Sequence, residues 1–312
     1  METDHRPNHR EIHHTNRLRG QQGEWTSEHH RFAADQGRKE RASTPFPGPT
    51  PKASLSLPLR ASPGLRDSTN CGEAGILDSF FAAGDPASPF VIFGGAHLLS
   101  LTVLATFGYM AIRLGRSGSE ATRRRIKRGM MVLLLVTFAA GHFWFAFHGE
   151  WAVAERLPLH LCGAMVWVSI YGLWTDRPWT RPLMYYLGIA GAIQGVLQPD
   201  SPYGFPHVRF VATMISHATI VVAGFWVILV EEYAPSLRST LWTLALVHVY
   251  AAGIFVFNLF VGTNYLYIVE KPESASLMDI FPEWPWYLLV LEGLLLVIVV
   301  GMYLPFARLR RA

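Results

Sequence analysis

Gly129-Met130-Met131-Val132-Leu133-Leu134-Leu135-Val136-Thr137-Phe138-Ala139-Ala140-Gly141-His142-Phe143-Trp144-Phe145-Ala146-Phe147 is nineteen residues long and carries no Asp, Glu, Lys or Arg. At 1.5 Å of rise per residue a helix of this length covers about 28 Å, close to the ~30 Å of a bilayer's hydrocarbon core. Its apolar residues show neither the period-2 alternation of a strand nor the single stripe of a surface helix. A segment apolar on nearly every face needs an apolar solvent, and a helix satisfies all of its backbone groups there. Arg123-Arg124-Arg125 and Lys127-Arg128 precede it, and His148-Gly149-Glu150-Trp151 ends it.

Six more segments of this kind lie on either side. They are Val91–Ile112, Leu157–Trp174, Leu183–Leu197, Phe210–Val230, Leu241–Val261 and Trp286–Leu304. Leu183–Leu197 is shorter than a usual span, and Gly188, Gly191 and Gly195 give it a small face for close helix packing. Trp284, Trp286 and Tyr287 sit at a segment end, as residues of an interfacial belt do. The fold expected is all-α: a polytopic membrane bundle of about seven transmembrane helices over residues 90–312.

Half of the 312 residues are hydrophobic and 16% are charged, but that average joins two unlike stretches. Residues 1–89 are rich in Arg, His, Pro, Ser and Gly and contain no apolar run that could build a core. Such composition predicts a disordered tail, because burial cannot offset the entropy of ordering it. The tail is therefore expected to be dispensable for insertion. Its first thirty residues hold no apolar stretch of the signal-peptide type, so the span starting near Phe90 is expected to serve as the targeting signal. The net charge of +4 comes from one basic loop, residues 113–128, since the Arg-rich tail carries as many acids as bases; it predicts no nucleic-acid partner, and the tail's arginines allow contact with anionic lipid. Two cysteines, Cys71 and Cys162, do not make a disulfide framework.

Lys and Arg divide unevenly between alternate loops. One side carries thirteen, among them Arg113, Arg116, Arg123, Arg124, Arg125, Lys127, Arg128, Arg177, Arg181, Arg238 and Arg308; the other carries Arg156, Arg209 and Lys271. The positive-inside rule then predicts a multi-pass protein of the cell membrane with its N-terminus outside and its C-terminus cytoplasmic.

The unusual polar residues gather on the outer side. Counting helical rise from the expected helix ends puts Cys162, His217, Gln194, Asn258 and His142 roughly 6–10 Å below that boundary. Polar groups at such depth usually face a bundle interior or a water-filled cavity. Together with His148, His160, Asp200, His207 and Asn264 in the adjoining loops, they predict one outward-facing polar cavity. Each has a plainer reading: interhelical hydrogen bonds for His142 and His248, helix glue for Asn258 and Gln194, close packing for Gly191-x-x-x-Gly195, a small buried hydrophobe for Cys162. His97 has no evident partner.

Two chemistries suit the cluster. One is nucleophilic catalysis, in which an imidazole converts the Cys162 thiol to the thiolate that attacks an acyl carbonyl. His160 stands two residues away and points to another face of a helix, so His217 is the better base. Gln194, Asn258 or Asn264 would then donate to the oxyanion. The other chemistry is metal binding, but no pair shows a dedicated ligand spacing such as His-x-x-x-His, and the reading adopted has neither metal nor cofactor. No phosphate loop, serine nucleophile elbow or dinucleotide fingerprint is present.

Several motifs in order resemble one family. They are Leu157-Pro158-Leu159-His160-Leu161-Cys162, Pro199-Asp200, Gly204-Phe205-Pro206-His207, Arg209-Phe210, His217, Gly262-Thr263-Asn264-Tyr265, Lys271-Pro272 and Trp284-Pro285-Trp286-Tyr287. The chain from about Phe90 to Phe306 resembles the YwaF-like bacterial membrane proteins, which belong with animal transmembrane protein 164. The resemblance implies a phospholipid acyltransferase that pairs a cysteine with a histidine, at the positions of Cys162 and His217. More distant relatives of the androgen-induced type are lipid-ester hydrolases using Thr and His. Gln198-Pro199-Asp200 departs from the Thr-Pro-Asp that bacterial relatives often show. The function expected is a cysteine-dependent lipid acyltransferase or lipid esterase drawing phospholipid or acyl-lipid substrate from the membrane. The alternative is a transporter or a solute- or metal-binding membrane protein.

Reporter fusions after Arg311 and within the loop containing Tyr203 test the orientation. The fusion after Arg311 is expected to report cytoplasm and the loop fusion the exterior; an external C-terminus would overturn it.

Overall fold

In the computed structural model the described residues are 76–84, 86, 88–199, 201–272 and 277–309. All of them belong to the second of two units into which the chain divides, Thr69–Ala312. Residues 1–75 of the expected tail, and Asp200 of the expected site, lie outside the described residues.

The described residues are helical with no strand. In chain order the α-helices are α1 (Ile76–Phe81), α2 (Gly95–Ser117), α3 (Glu120–Phe147), α4 (Val153–Arg156), α5 (Leu161–Thr175), α6 (Thr180–Leu183), α7 (Ile189–Leu197), α8 (Val208–Leu229), α9 (Leu237–Val261) and α10 (Trp286–Leu309). Five of them, α2, α3, α8, α9 and α10, are long and apolar enough to cross a membrane. Helix α5 is apolar but only fifteen residues long. Helices α6 and α7 are joined without interruption by a π turn over Met184–Gly188, so the short fourth span is an eighteen-residue helical segment from Thr180 to Leu197. The chain is an all-α, multi-pass membrane bundle.

Two helix starts differ from expectation, each for a reason involving proline. The third span was placed from Leu157, but Leu157 precedes Pro158, and a residue before proline avoids the helical region. Leu157 is extended (φ −67°, ψ 146°) and the helix begins only after His160. The fourth span starts earlier than Leu183, because Pro182 is tolerated in a first helical turn and Thr180 packs fully buried there.

Helix α8 is the hub; α2, α3, α5, the π turn and α7 all pack on it. Its Phe210, Met214, Ile220, Ala223, Trp226 and Val227 are buried. Close approach to α7 needs Gly224: a Cβ there would lie 2.6 Å from Ile189 Cγ1 and 2.7 Å from the Met184 carbonyl oxygen. Small residues at helix contacts are the usual means of tight packing where no hydrophobic effect drives helices together. The periphery is apolar and open, with Phe260 of α9 86% exposed; such surface suits lipid and not water.

Each end of the bundle is tied by polar contacts. At one end Glu231 receives Lys127 Nζ (3.3 Å), Arg181 Nε (3.2 Å) and the Trp226 indole N–H (3.1 Å), and Lys127 also contacts Asp176. At the other end Tyr265 is wholly buried; its hydroxyl donates to the Val153 carbonyl and accepts from Leu157 N–H (2.9 Å). Tyr287 donates to the Tyr267 carbonyl (2.6 Å) and Tyr250 to the Leu159 carbonyl (2.8 Å).

The last part of the expected tail is docked at this second end. Phe81 of α1 packs against Phe143, Phe147 and His148, its carbonyl accepts from the Trp144 indole (3.2 Å), and the Ala82 carbonyl faces His207 Nε2 (2.9 Å). Phe90 N–H then bonds to the Pro202 carbonyl and Gly204 N–H to the Ser88 carbonyl. Phe80 and Phe81 are too few to read as a core within a polar tail, yet they pack on the existing cluster of Trp144, Phe145, Tyr203 and Val208.

His207 couples this docking to pH. Its Nδ1 accepts from Arg209 N–H (3.2 Å), so Nε2 carries the proton given to Ala82. Burial holds the imidazole below its ordinary value of 6.5; the Ala82 bond opposes this, and the charges of Arg209 and His148 reinforce it. A depressed histidine is neutral when docked, so the docking contribution is complete above pH 6.5 and is lost as pH falls from there through the lowered value. The thermal midpoint of the wild type should therefore drop on going from pH 7.5 to 5.5 by more than that of His207→Gln; equal drops would refute the coupling. Trp144→Phe, which removes only the bond to Phe81, should cost about 1 kcal/mol.

Candidate functional site

Cys162 is the second residue of α5, a consequence of Pro158 holding the preceding turn out of the helix. It stands closer to a helix N-terminus than expected, where unpaired first-turn N–H groups and the helix dipole favour an anion. The half-buried thiol donates to the Gly191 carbonyl of α7 at 3.7 Å.

His217 lies in the middle of α8. Its Nδ1 sits 2.9 Å from the Thr213 carbonyl. A carbonyl only accepts, so Nδ1 carries the proton and Nε2 keeps its lone pair in the neutral ring. The ring fills the space over Gly195 of α7: a Cβ built there would be 2.1 Å from Cδ2 and 2.4 Å from Nε2. Gly191 and Gly195 are one turn apart, about 6 Å along the helix, and share a face. The Cys162 thiol, on the Gly191 carbonyl, and the His217 ring, over Gly195, thus contact α7 in successive turns.

His97, without a partner in the sequence reading, holds the end of that face. It is buried; Nδ1 accepts from Phe93 N–H (3.0 Å), and Nε2 donates to the carbonyl of Val196 (2.9 Å), the residue after Gly195. It satisfies one of the carbonyls that a helix C-terminus leaves over. No local sequence signal announces this bond, which joins residues 99 positions apart.

The other predicted residues divide into loop fasteners and neighbours. Asn258 is buried; its Nδ2 donates to the Tyr265 carbonyl (2.8 Å), and its Oδ1 accepts from the Thr263 hydroxyl (2.7 Å) and Tyr265 N–H (3.0 Å). Asn264 similarly closes the turn to Glu270 with its amide and carbonyl (2.8 and 3.3 Å). Both amides organise the 262–270 loop. His160 caps α5, accepts from Leu266 N–H (3.3 Å) and packs on Tyr265 and Tyr267. His148 Nδ1 meets the Trp144 carbonyl (2.9 Å), and His207 serves the docking of α1. His142 lies against Phe138 (4.1 Å), and Gln194 is exposed. His248 bridges α9 to Glu292 of α10 (3.0 Å). Among the described residues no three of His, Cys, Asp and Glu converge as a group able to hold a metal.

No curated protein and no solved structure matches the chain. The profile of the TMEM164 family matches residues 92–303, a stretch that runs from just before α2 into α10 and contains Cys162, His217 and the glycine face between them. With two thirds of its length matched in that way, the chain belongs to the TMEM164 family.

Proposed function

We propose that this chain is a membrane-embedded lipid acyltransferase or lipid esterase of the YwaF-like bacterial branch, with Cys162 as nucleophile and His217 as general base. The observation that supports the reading is that α7 meets both groups in adjoining turns: the Cys162 thiol donates to the Gly191 carbonyl, and the His217 ring packs over Gly195 with its Nδ1 on the Thr213 carbonyl. The family membership is consistent with it. The proposed orientation puts this end of the bundle outside the cell membrane.

The step follows the usual logic of an activated thiol. The Cys162 proton passes to His217 Nε2, and the thiolate attacks the ester carbonyl carbon of a phospholipid. A C–S bond forms, the C–O bond breaks, and the leaving alkoxide takes the proton from His217, giving an acyl thioester and a lysolipid. An acceptor hydroxyl, or water, then attacks the thioester and regenerates the thiol. The N–H groups of Cys162 and Gly163 in the first turn of α5 suit the developing oxyanion better than Asn258 or Asn264, whose amides are spent on the loop. Thr213 fixes the tautomer of the base, a positioning role.

Purified protein in nanodiscs with a fluorescent phospholipid tests this. Cys162→Ala and His217→Ala should each reduce turnover by a factor of 100 or more, within the ~10²–10⁴-fold range of a proton-transfer catalyst, and the double variant should be no worse than either. Cys162→Ser should keep little activity, since a hydroxyl is far less ionised than a thiol. Wild-type turnover in Cys162→Ala would make Cys162 a packing residue. Gly195→Ala should impair turnover far more than Gly191→Ala, whose Cβ meets only the movable Leu161 Cδ2 at 3.1 Å.

A further inference from the structure

The hairpin of α2 and α3 concentrates positive charge at its tip. Residues 113–128 hold seven basic side chains and one acid, Glu120. Two of the seven are spent on the fold: Arg123 Nε donates to the Gly115 carbonyl (2.9 Å), and Lys127 is held by Asp176 and Glu231. Arg124 meets Glu120 at 3.4 Å, but both side chains are more than half exposed, and such a pair contributes little. Arg113, Arg116, Arg125 and Arg128 are exposed, and their side chains form no ion pair or hydrogen bond with the described residues.

The placement of these cations fits the surface of a bilayer. Arg113 and Arg124 each stand five residues from the Gly118-Ser119 link, so the two helices present charge at one depth. On α3, Arg125, Arg128, Val132 and Leu135 follow one another at spacings of three and four and share a face. Val132 and Leu135 are more than half exposed on a helix long and apolar enough to cross a membrane. A column of cations thus continues into a column of aliphatic side chains, the order in which a phospholipid presents its phosphate and its acyl chains.

Like charges crowded at one tip repel. A zwitterionic headgroup brings a cation of its own and leaves that excess in place, whereas an anionic headgroup offsets it. Arginine's planar fork also fits two phosphate oxygens at once, which a lysine ammonium does not. The one lysine among the seven, Lys127, is turned onto Glu231. A soluble anion would use the arginines and leave the aliphatic column without a part.

We propose that Arg113, Arg116, Arg125 and Arg128 form a binding surface for anionic phospholipid. It lies away from the Cys162 end of the bundle: Lys127, among these arginines, contacts Asp176 at the C-terminal end of α5, and Cys162 is the second residue of α5. The surface does not rest on the thioester reading.

The test follows the thermal midpoint of the full chain in dodecyl maltoside. The chain is titrated with didecanoylphosphatidylglycerol, with didecanoylphosphatidylcholine, and with glycerophosphoglycerol, the deacylated headgroup. Phosphatidylglycerol should act at a concentration at least about tenfold lower than phosphatidylcholine, since each juxtamembrane cation favours an anionic lipid. The preference should shrink as NaCl is raised from about 50 to about 500 mM, because exposed charges are screened. Arg113→Gln, Arg116→Gln, Arg125→Gln and Arg128→Gln combined should abolish it, and the four lysine replacements combined should keep part of it. Arg238→Gln, at the start of α9, and Cys162→Ala should leave it unchanged. Equal response of the wild type to the two lipids overturns the proposal. So does a preference that survives the four glutamines, or one that Arg238→Gln reduces as much as they do. A headgroup as effective as its lipid would make this a site for a soluble anion and overturn the lipid assignment. Should the glutamine variant not insert, the wild type decides: a preference that salt leaves unchanged overturns the proposal.

Discussion

The imidazole of His217 occupies the volume that any side chain at position 195 would need. That exclusion governs the site. It brings α8 against α7 closely enough for the ring to sit on backbone, one turn from Gly191, whose carbonyl accepts from the Cys162 thiol. Other elements serve to hold this contact. Gly224 allows the same two segments to meet further along, His97 pins the carbonyl after Gly195, and the Thr213 carbonyl keeps the ring from turning. In a membrane, where packing and hydrogen bonds stand in for the hydrophobic effect between helices, a missing methyl group can decide where a functional group rests.

A second constraint comes from Pro158. It delays the start of α5 until Leu161 and so moves Cys162 from within a helix to its first turn. There the thiol meets the Gly191 carbonyl of α7. The loop 262–270, closed by Asn258, Asn264 and Tyr265, braces this start: Tyr265 holds Val153 and Leu157, and Leu266 holds His160.

Much of the architecture was legible because a bilayer imposes length and apolarity on each span, and those are properties of local sequence. The segment 129–147 and its six companions were found by that criterion. Helix starts at prolines were read less well: the third span was begun at Leu157-Pro158, since Pro is tolerated in a first helical turn, and the fourth at Leu183, whereas the helices begin at Leu161 and Thr180. The tertiary partners were not legible. Asn258 and Asn264 looked like cavity donors by type and depth, yet each is used up by loop backbone. His97 looked alone and is paired across 99 positions. Gly191-x-x-x-Gly195 was read as packing, which it is, but the object packed against Gly195 is the imidazole itself. Phe80 and Phe81 did not stand out in a polar tail because it is the bundle that they pack against.

The central claim is that Cys162 carries an acyl group. Incubating the purified chain with a phospholipid of defined acyl mass and measuring the peptide containing Cys162 by mass spectrometry tests it directly. The account predicts a mass increase equal to one acyl group on Cys162, removed by neutral hydroxylamine as a thioester is and absent from His217→Ala. An unmodified Cys162 in protein that nevertheless turns over the lipid would contradict it.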